Sequence, residues 1–231
     1  MPLTEESKKK ILEKWKTAYE LAQNKSSLDA MHYHHTKQNM DIYDNKGDAN
    51  TIIRGDVIVE GMDDAKQLLD YFSTDDLEKT NHVQKGSIRS NTLEEWKDES
   101  GDLWKIRYTC YTAGVPFVAD RDLLCVEKFF TKENVLNHVS TSVDDLYETP
   151  KDFSFQKGAV RSTNIFAWRK FEKLSEKTFH VSFTNQASAN GWIPASVVNS
   201  AVYSSPLAVV KIAELLGFKV RTPSNSPSLK K

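Results

Sequence analysis

Trp104-Lys105-Ile106-Arg107-Tyr108-Thr109-Cys110-Tyr111 is followed, after Ala113-Gly114-Val115-Pro116-Phe117-Val118-Ala119, by Leu123-Leu124-Cys125-Val126-Glu127-Lys128-Phe129-Phe130. In the first segment Trp104, Ile106, Tyr108 and Cys110 alternate with Lys105, Arg107, Thr109 and Tyr111. That is the period-2 pattern of a strand with one buried face. Further strand candidates cover 135–142, 160–171 and 179–185, separated by clusters of Gly, Asp, Glu and Lys. No helical segment lies between them. Parallel βαβ units need a long crossover, so this succession predicts an antiparallel meander.

Upstream, Thr4 is placed to cap a helix with Glu5 and Glu6 in its first turn, and Ile11, Leu12, Trp15, Ala18, Tyr19 and Ala22 recur at helical spacing. Short strands are expected at 28–35 and 40–43, and a longer β-branched one at 51–60, closed by Gly61. A helix over 63–72 presents Ala65, Leu68, Leu69 and Phe72, and Ser73-Thr74-Asp75 is suited to cap a second short helix. Downstream, the spacing predicts a helix over 195–216 with Gly217 as its C-cap. The prolines and serines of 221–231 predict a disordered tail. No repeat or linker interrupts the pattern, so 1–220 reads as one α+β domain.

The chain has 231 residues, 39% hydrophobic and 27% charged, enough to bury a core and keep an internal cavity. A net charge of −1 gives no basic field for a nucleic acid, and no nucleic-acid partner is expected. The polar start lacks the apolar segment of a secretory signal, and no stretch approaches a membrane span. Cys110 and Cys125 are too few for a disulfide framework. A reduced, cytoplasmic monomer without a cofactor is expected. His32, His34 and His35 lie close together, but no carboxylate or cysteine spacing completes a metal site.

Two apolar segments stand out. After Pro206 the final helix carries Leu207, Ala208, Val209, Val210, Ile212, Ala213, Leu215 and Leu216, interrupted only by Lys211 and Glu214. Such a helix is either buried in a core or a lid whose inner face meets a ligand. Pro206 removes one helical hydrogen bond and crowds the preceding turn, which predicts a kink. The 113–119 loop is almost wholly apolar, whereas loops normally run over the surface and are polar. It packs on the core, folds over a cavity, or offers an apolar tip to a membrane or partner. A hairpin symmetric about residues 117 and 118 sets Cys110 opposite Cys125, Tyr108 opposite Glu127 and Ile106 opposite Phe129. Glu127 is then the odd carboxylate in the row Leu123, Cys125, Glu127, Phe129. Facing inward it needs a partner, a water, a polar ligand group or a proton; facing outward it needs nothing.

Arg121-Asp122 opens one strand and Val160-Arg161 a later one. Gly191-Trp192-Ile193-Pro194 then leads through Ala195-Ser196-Val197-Val198-Asn199-Ser200 into the final helix. In order and spacing these motifs resemble the StAR-related lipid-transfer (START) family, over nearly the whole chain. The resemblance implies a helix-grip fold, in which a curved antiparallel sheet wraps around a long C-terminal helix and leaves an internal hydrophobic tunnel for one lipid. It implies a gate formed by that helix and the 113–119 loop, with Val115, Phe117, Val118 and Pro206 as gate candidates. Candidate ligand contacts are Trp104, Tyr108, Cys125, Glu127, Arg161, Val198 and Val202. There are departures. Asn81-His82 stands where many members carry Trp-Asp. The Glu and Arg that the sterol-binding branch places on the strands flanking the gate loop fall on Tyr108 and Glu127, so that pair reads as absent. Trp104, Tyr108 and Glu127 instead offer ring faces and a counter-charge to a quaternary ammonium, as in the aromatic cage of the phosphatidylcholine-binding branch. Arg161 points inward by the family pattern or forms a rim salt bridge with an acidic neighbour.

The expected function is to bind one lipid molecule, a phospholipid, a sterol or a related compound, and to transfer it between membranes with transient membrane surface contact. Exposing an eighteen-carbon chain to water costs on the order of 14 kcal/mol at about 0.8 kcal/mol per methylene, and an apolar tunnel removes most of that cost. Two other readings stand beside it. A helix-grip enzyme would use Glu127 and Tyr108 as an acid–base pair, although no nucleophile turn, nucleotide loop or triad is present. A lipid-sensing regulatory module would use the same cavity without transfer.

Overall fold

A computed structural model describes residues 3–46 and 50–225. Helix α1 (Glu5–Lys25) begins as expected, with the Thr4 hydroxyl accepting a hydrogen bond from the Ser7 amide at 3.1 Å. Strands β1 (His32–Lys37), β2 (Met40–Asn45) and β3 (Ile52–Glu60) follow. The first strand is shorter than expected because residues 28–30 form a 3-10 turn. Helices α2 (Lys66–Phe72) and α3 (Leu77–Val83) come next. The cap of α3 is Asp76 and not the preceding triplet, since Asp75 turns away to bind the Thr92 amide and hydroxyl.

The meander is β4 (Ser87–Lys97), β5 (Leu103–Tyr111), β6 (Arg121–Lys132), β7 (Val135–Ser142), β8 (Val160–Arg161), β9 (Thr163–Ser175) and β10 (Thr178–Ser188). The strand expected over 160–171 is divided: β8 pairs in parallel with the start of β6, and β9 joins the main sheet. Helices α4 (Ala195–Ser204) and α5 (Ala208–Leu215) precede β11 (Lys219–Arg221). The sheet runs β1-β2-β3-β10-β9-β7-β6-β5-β4, with β11 on β3. It is the expected helix-grip architecture, a curved antiparallel sheet with the C-terminal helices against one face. Arg221, where the disordered tail was expected to begin, pairs with Ile58, and 226–231 lie outside the described residues.

The sheet is covered on both faces. On the outer face Ile11, Trp15, Ala18 and Ala22 of α1 join a cluster with Trp104, Ile106, Tyr108, Val126, Phe166 and Trp168. On the inner face α5 buries Val209, Val210, Ile212 and Ala213 against Ile53, Val57, Phe171, Val181 and Phe183. The expected kink is present: a 3-10 turn at Ser205–Leu207, with Pro206 buried, separates α4 from α5. The sheet makes room for it at Gly55, where an added Cβ would lie 2.5 Å from the Pro206 Cβ and 2.6 Å from the Met40 sulfur. The two halves of the C-terminal helix differ sharply. Helix α5 is core, whereas α4 buries none of its residues.

Candidate ligand-binding site

Strand register decides which side chains share the inner face. Cys110 pairs with Asp122, Tyr108 with Leu124, Arg107 with Cys125 and Lys105 with Glu127. The symmetric hairpin expected from sequence is therefore out by an odd number of residues, and an odd slip sends one strand's side chains to the opposite face. Trp104 and Tyr108 lie on the outer face. Trp104 packs on Trp15 and Trp96 and donates to Asp98 at 2.9 Å. Tyr108 is completely buried, donates to Asp122 at 2.9 Å and packs on Phe153. The expected cage of Trp104, Tyr108 and Glu127 does not form, and neither does a Glu127–Tyr108 acid–base pair or a Cys110–Cys125 pairing. Arg161 makes the rim contacts: 2.7 Å to Asp122, 2.5 Å to Asp144, and its guanidinium stacks on Phe155.

The same register brings Arg107, Cys125, Glu127, His138 and Arg169 onto the inner face across β5, β6, β7 and β9. Arg107 is 2% exposed and lies 3.5 Å from the Glu127 carboxylate. It also donates to the Phe72 carbonyl at 3.1 Å, to the Thr74 carbonyl and to the Ser90 hydroxyl, so it ties the α2–α3 connection to the sheet. An acid–base pair on the two strands flanking the 113–119 loop is thus present, with Arg107 in place of Tyr108. Glu127 accepts from Ser73 at 2.8 Å and faces the His138 Nε2 at 3.5 Å. Arg169 donates Nη1 to the His138 Nδ1 at 3.0 Å, which fixes the imidazole proton on Nε2, toward Glu127. The Arg169 guanidinium lies over the Phe72 and Phe183 rings, 4.3 and 4.6 Å from their centres.

Burial alone would raise the Glu127 carboxyl, but the Arg107 charge, His138 and Ser73 outweigh it and hold the group down at about 2. Burial, only partly opposed by Glu127, holds His138 below its ordinary value, so it is neutral at pH 7. Burial also lowers Arg169, to about 10, which leaves it cationic. Cys125 contacts Ser142 and Asn164 at 3.9 Å, and burial with the Glu127 charge pushes its thiol up to about 12; it is no nucleophile at neutral pH. Several atoms of this patch are buried without a hydrogen-bond partner: Arg107 Nε, Asn164 Oδ1, Arg169 Nε, and His138 Nε2 at its long 3.5 Å from Glu127. Native proteins rarely leave such atoms unsatisfied unless a water or ligand meets them. Sequence reasoning missed Arg107, His138 and Arg169. The available signal was the alternation of His138, Ser140 and Ser142, a polar row in a strand that is buried on both faces.

The gate candidates lie at the open end. Phe117 is at the tip of the 113–119 loop, wholly exposed and at a left-handed φ of 65°, a conformation that costs a bulky residue about 1–2 kcal/mol. Val115 lines a cleft of about 370 Å³ opposite Ser196, Val197, Ser200 and Ala201 of α4. Val118 closes the loop's turn, its amide donating to the Val115 carbonyl at 3.2 Å. Val198 and Val202 are half-buried on α4, and Val202 packs against the inner-face core. Arg121, 2% exposed, joins the two gate segments: it donates to the Ala119 carbonyl of the loop and to the carbonyls of Ala189, Asn190 and Trp192 before α4. Trp192 itself is 73% exposed.

No family model and no curated protein matches this sequence. Solved structures do. Human STARD10 superposes with a TM-score of 0.67 at 14% identity, over 86% of this chain and 78% of that one. Human StAR-related lipid transfer protein 5 gives 0.66 at 12% identity, over 89% and 97%. This chain has the START fold. A STAR-related lipid transfer protein from Xanthomonas axonopodis matches at 0.58 and 16% identity, over 80% and 97%, so the START fold of this chain has human and bacterial counterparts. The fold that the motifs at 121–122, 160–161 and 191–200 resemble is the one the chain adopts.

Proposed function

We propose that the protein binds one lipid between α4 and the inner face of the sheet and transfers it between membranes. The ligand's polar end meets Arg107, Glu127, His138 and Arg169; its apolar part runs under α4. The carrying observation is the pairing of that largely buried, incompletely satisfied polar row with a C-terminal helix half in which no residue is fully buried. A START fold, shared with proteins named for lipid transfer, agrees with it. The loop at 113–119 and α4 act as the gate, pivoting at the Pro206 kink, and Phe117 touches the membrane first.

Two measurements test this. Native mass spectrometry after incubation with mixed liposomes should find one lipid per chain; a folded protein that stays lipid-free refutes the binding reading. Phe117→Asp should slow transfer between donor and acceptor vesicles at least several-fold while leaving equilibrium occupancy unchanged. Equal loss of both would remove the loop from the gating role.

A further inference from the structure

The inner-face row carries more positive charge than its one carboxylate balances. Arg107 has Glu127 at 3.5 Å and, 3.9 Å from its Nε, the half-exposed carboxylate of Asp75. Arg169 has no carboxylate within 4.0 Å among the described residues, and its neighbour His138 is a neutral hydrogen-bond acceptor. Arg169 is half-buried with its guanidinium over two phenyl rings, so it loses part of its hydration, and cation–π contacts of roughly 1–2 kcal/mol return only some of that loss.

The orientation of Arg169 is specific. Nη1 is taken by His138, whereas Nε is buried and unpartnered, and Nη2 makes no hydrogen bond among the described residues. Nε and Nη2 form the side-on edge with which arginine grips two oxygens of one anion. Arg54 shows that geometry filled in this same fold, with Nε and Nη2 at 2.7 and 2.9 Å from the two oxygens of Asp56. On the same inner-face row the His138 Nε2 donor also lacks a partner.

We propose that this fork selects an anionic lipid headgroup, a carboxylate or a phosphomonoester, over neutral and zwitterionic ones. The inference rests on the lipid-binding reading above and narrows it to a ligand class. Binding would place two oxygens on Nε and Nη2 of Arg169 and supply the missing counter-charge. The apolar neighbours Phe72, Phe183 and Phe129 would keep water from screening the pair.

The test uses delipidated full-length protein and vesicles of dioleoylphosphatidylcholine doped in turn with oleic acid, dioleoyl phosphatidic acid, oleyl alcohol or dioleoylglycerol. Native mass spectrometry reads the bound lipid. Oleic acid and oleyl alcohol differ only at the head, as do the two dioleoyl probes, and the two anionic arms separate a carboxylate from a phosphomonoester. At least one anionic probe should load tenfold or more above its neutral partner and above phosphatidylcholine. Arg169→Gln should reduce that ratio to within about twofold of unity, and Arg169→Lys should keep part of it, with near-UV circular dichroism checking the fold. Equal loading of neutral and anionic probes by the wild type, or an anionic preference that persists in Arg169→Gln, overturns the proposal. If the Gln variant does not fold, the wild-type ratios and the Lys variant still decide. Loading of neutral lipid alone sinks this inference and leaves lipid binding standing; loading of nothing sinks both.

Discussion

Glu127→Gln probes the charge balance on the inner face directly. The substitution keeps the shape of the side chain and an oxygen to accept from Ser73, so it removes a charge and little else. What remains is the buried Arg107 and the half-buried Arg169, with no anion beyond the half-exposed Asp75. Removing one partner of a buried ion pair costs about 3–5 kcal/mol, because the other charge stays desolvated. In a chain of this size each kcal/mol lowers Tm by roughly 2–4 °C, so the midpoint should fall by roughly 6–20 °C at pH 7. A second change isolates the cause. Arg169→Met made in the Glu127→Gln background deletes the surplus cation and should return at least about 1 kcal/mol relative to additivity. Thermal and urea unfolding of the four proteins, followed by circular dichroism, complete the cycle. A loss below about 1 kcal/mol for Glu127→Gln, or strict additivity with Arg169→Met, would refute the picture of an uncompensated buried charge. It would equally remove the ground on which an anionic ligand was inferred.

Stability should fall with acid in two steps. His138 is depressed below its ordinary 6.5, so the stability it contributes is complete above that pH and is lost as the pH drops through the folded value. Glu127 and Asp56, both held at about 2, add a loss as the pH falls below their ordinary 4.5 and 3.8; a Tm that is flat from pH 7 to 3 contradicts both steps. Gly55→Ala must displace the rigid Pro206 ring by about 1 Å, since Met40 can swing aside and the ring cannot, and should cost about 1–3 kcal/mol in urea unfolding. An unchanged midpoint would show that the kink is not seated on the sheet. Arg121→Met leaves the carbonyls of Ala119, Ala189, Asn190 and Trp192 without their shared donor and should cost on the order of 3 kcal/mol. Hydrogen exchange should then accelerate in 113–120 and 189–194 together; acceleration in only one segment would mean that Arg121 does not couple them.

The fold was legible because its signals were local. The Thr4 cap, the period-2 strands without intervening helices, Pro206 and Gly217 each act within a few residues, and each appears where its chemistry requires. The site was not legible, because it depends on which of two buried faces a strand row occupies. Period-2 alternation separates the rows Trp104-Ile106-Tyr108 and Lys105-Arg107-Thr109 without saying what lies over each. In a sheet with one solvated face, the apolar row would be the inner one. Here the outer face is covered too, by α1 over Trp104 and by Phe153 and Phe155 over Tyr108, so the strongly apolar row packs there and the row with Arg107 turns inward. The hairpin could have resolved this only if its loop were symmetric. The loop instead carries Phe117 in a left-handed turn and ends at Asp120, so the register slips by an odd number of residues and Glu127 meets Arg107 in place of Tyr108. Burial of charge then becomes informative in a way that burial of tryptophan is not. Apolar residues need no ligand to be content inside a protein, whereas a guanidinium with an empty fork among phenyl rings is costly without one. The residues that conflict with the sheet's local logic therefore locate the site better than those that obey it.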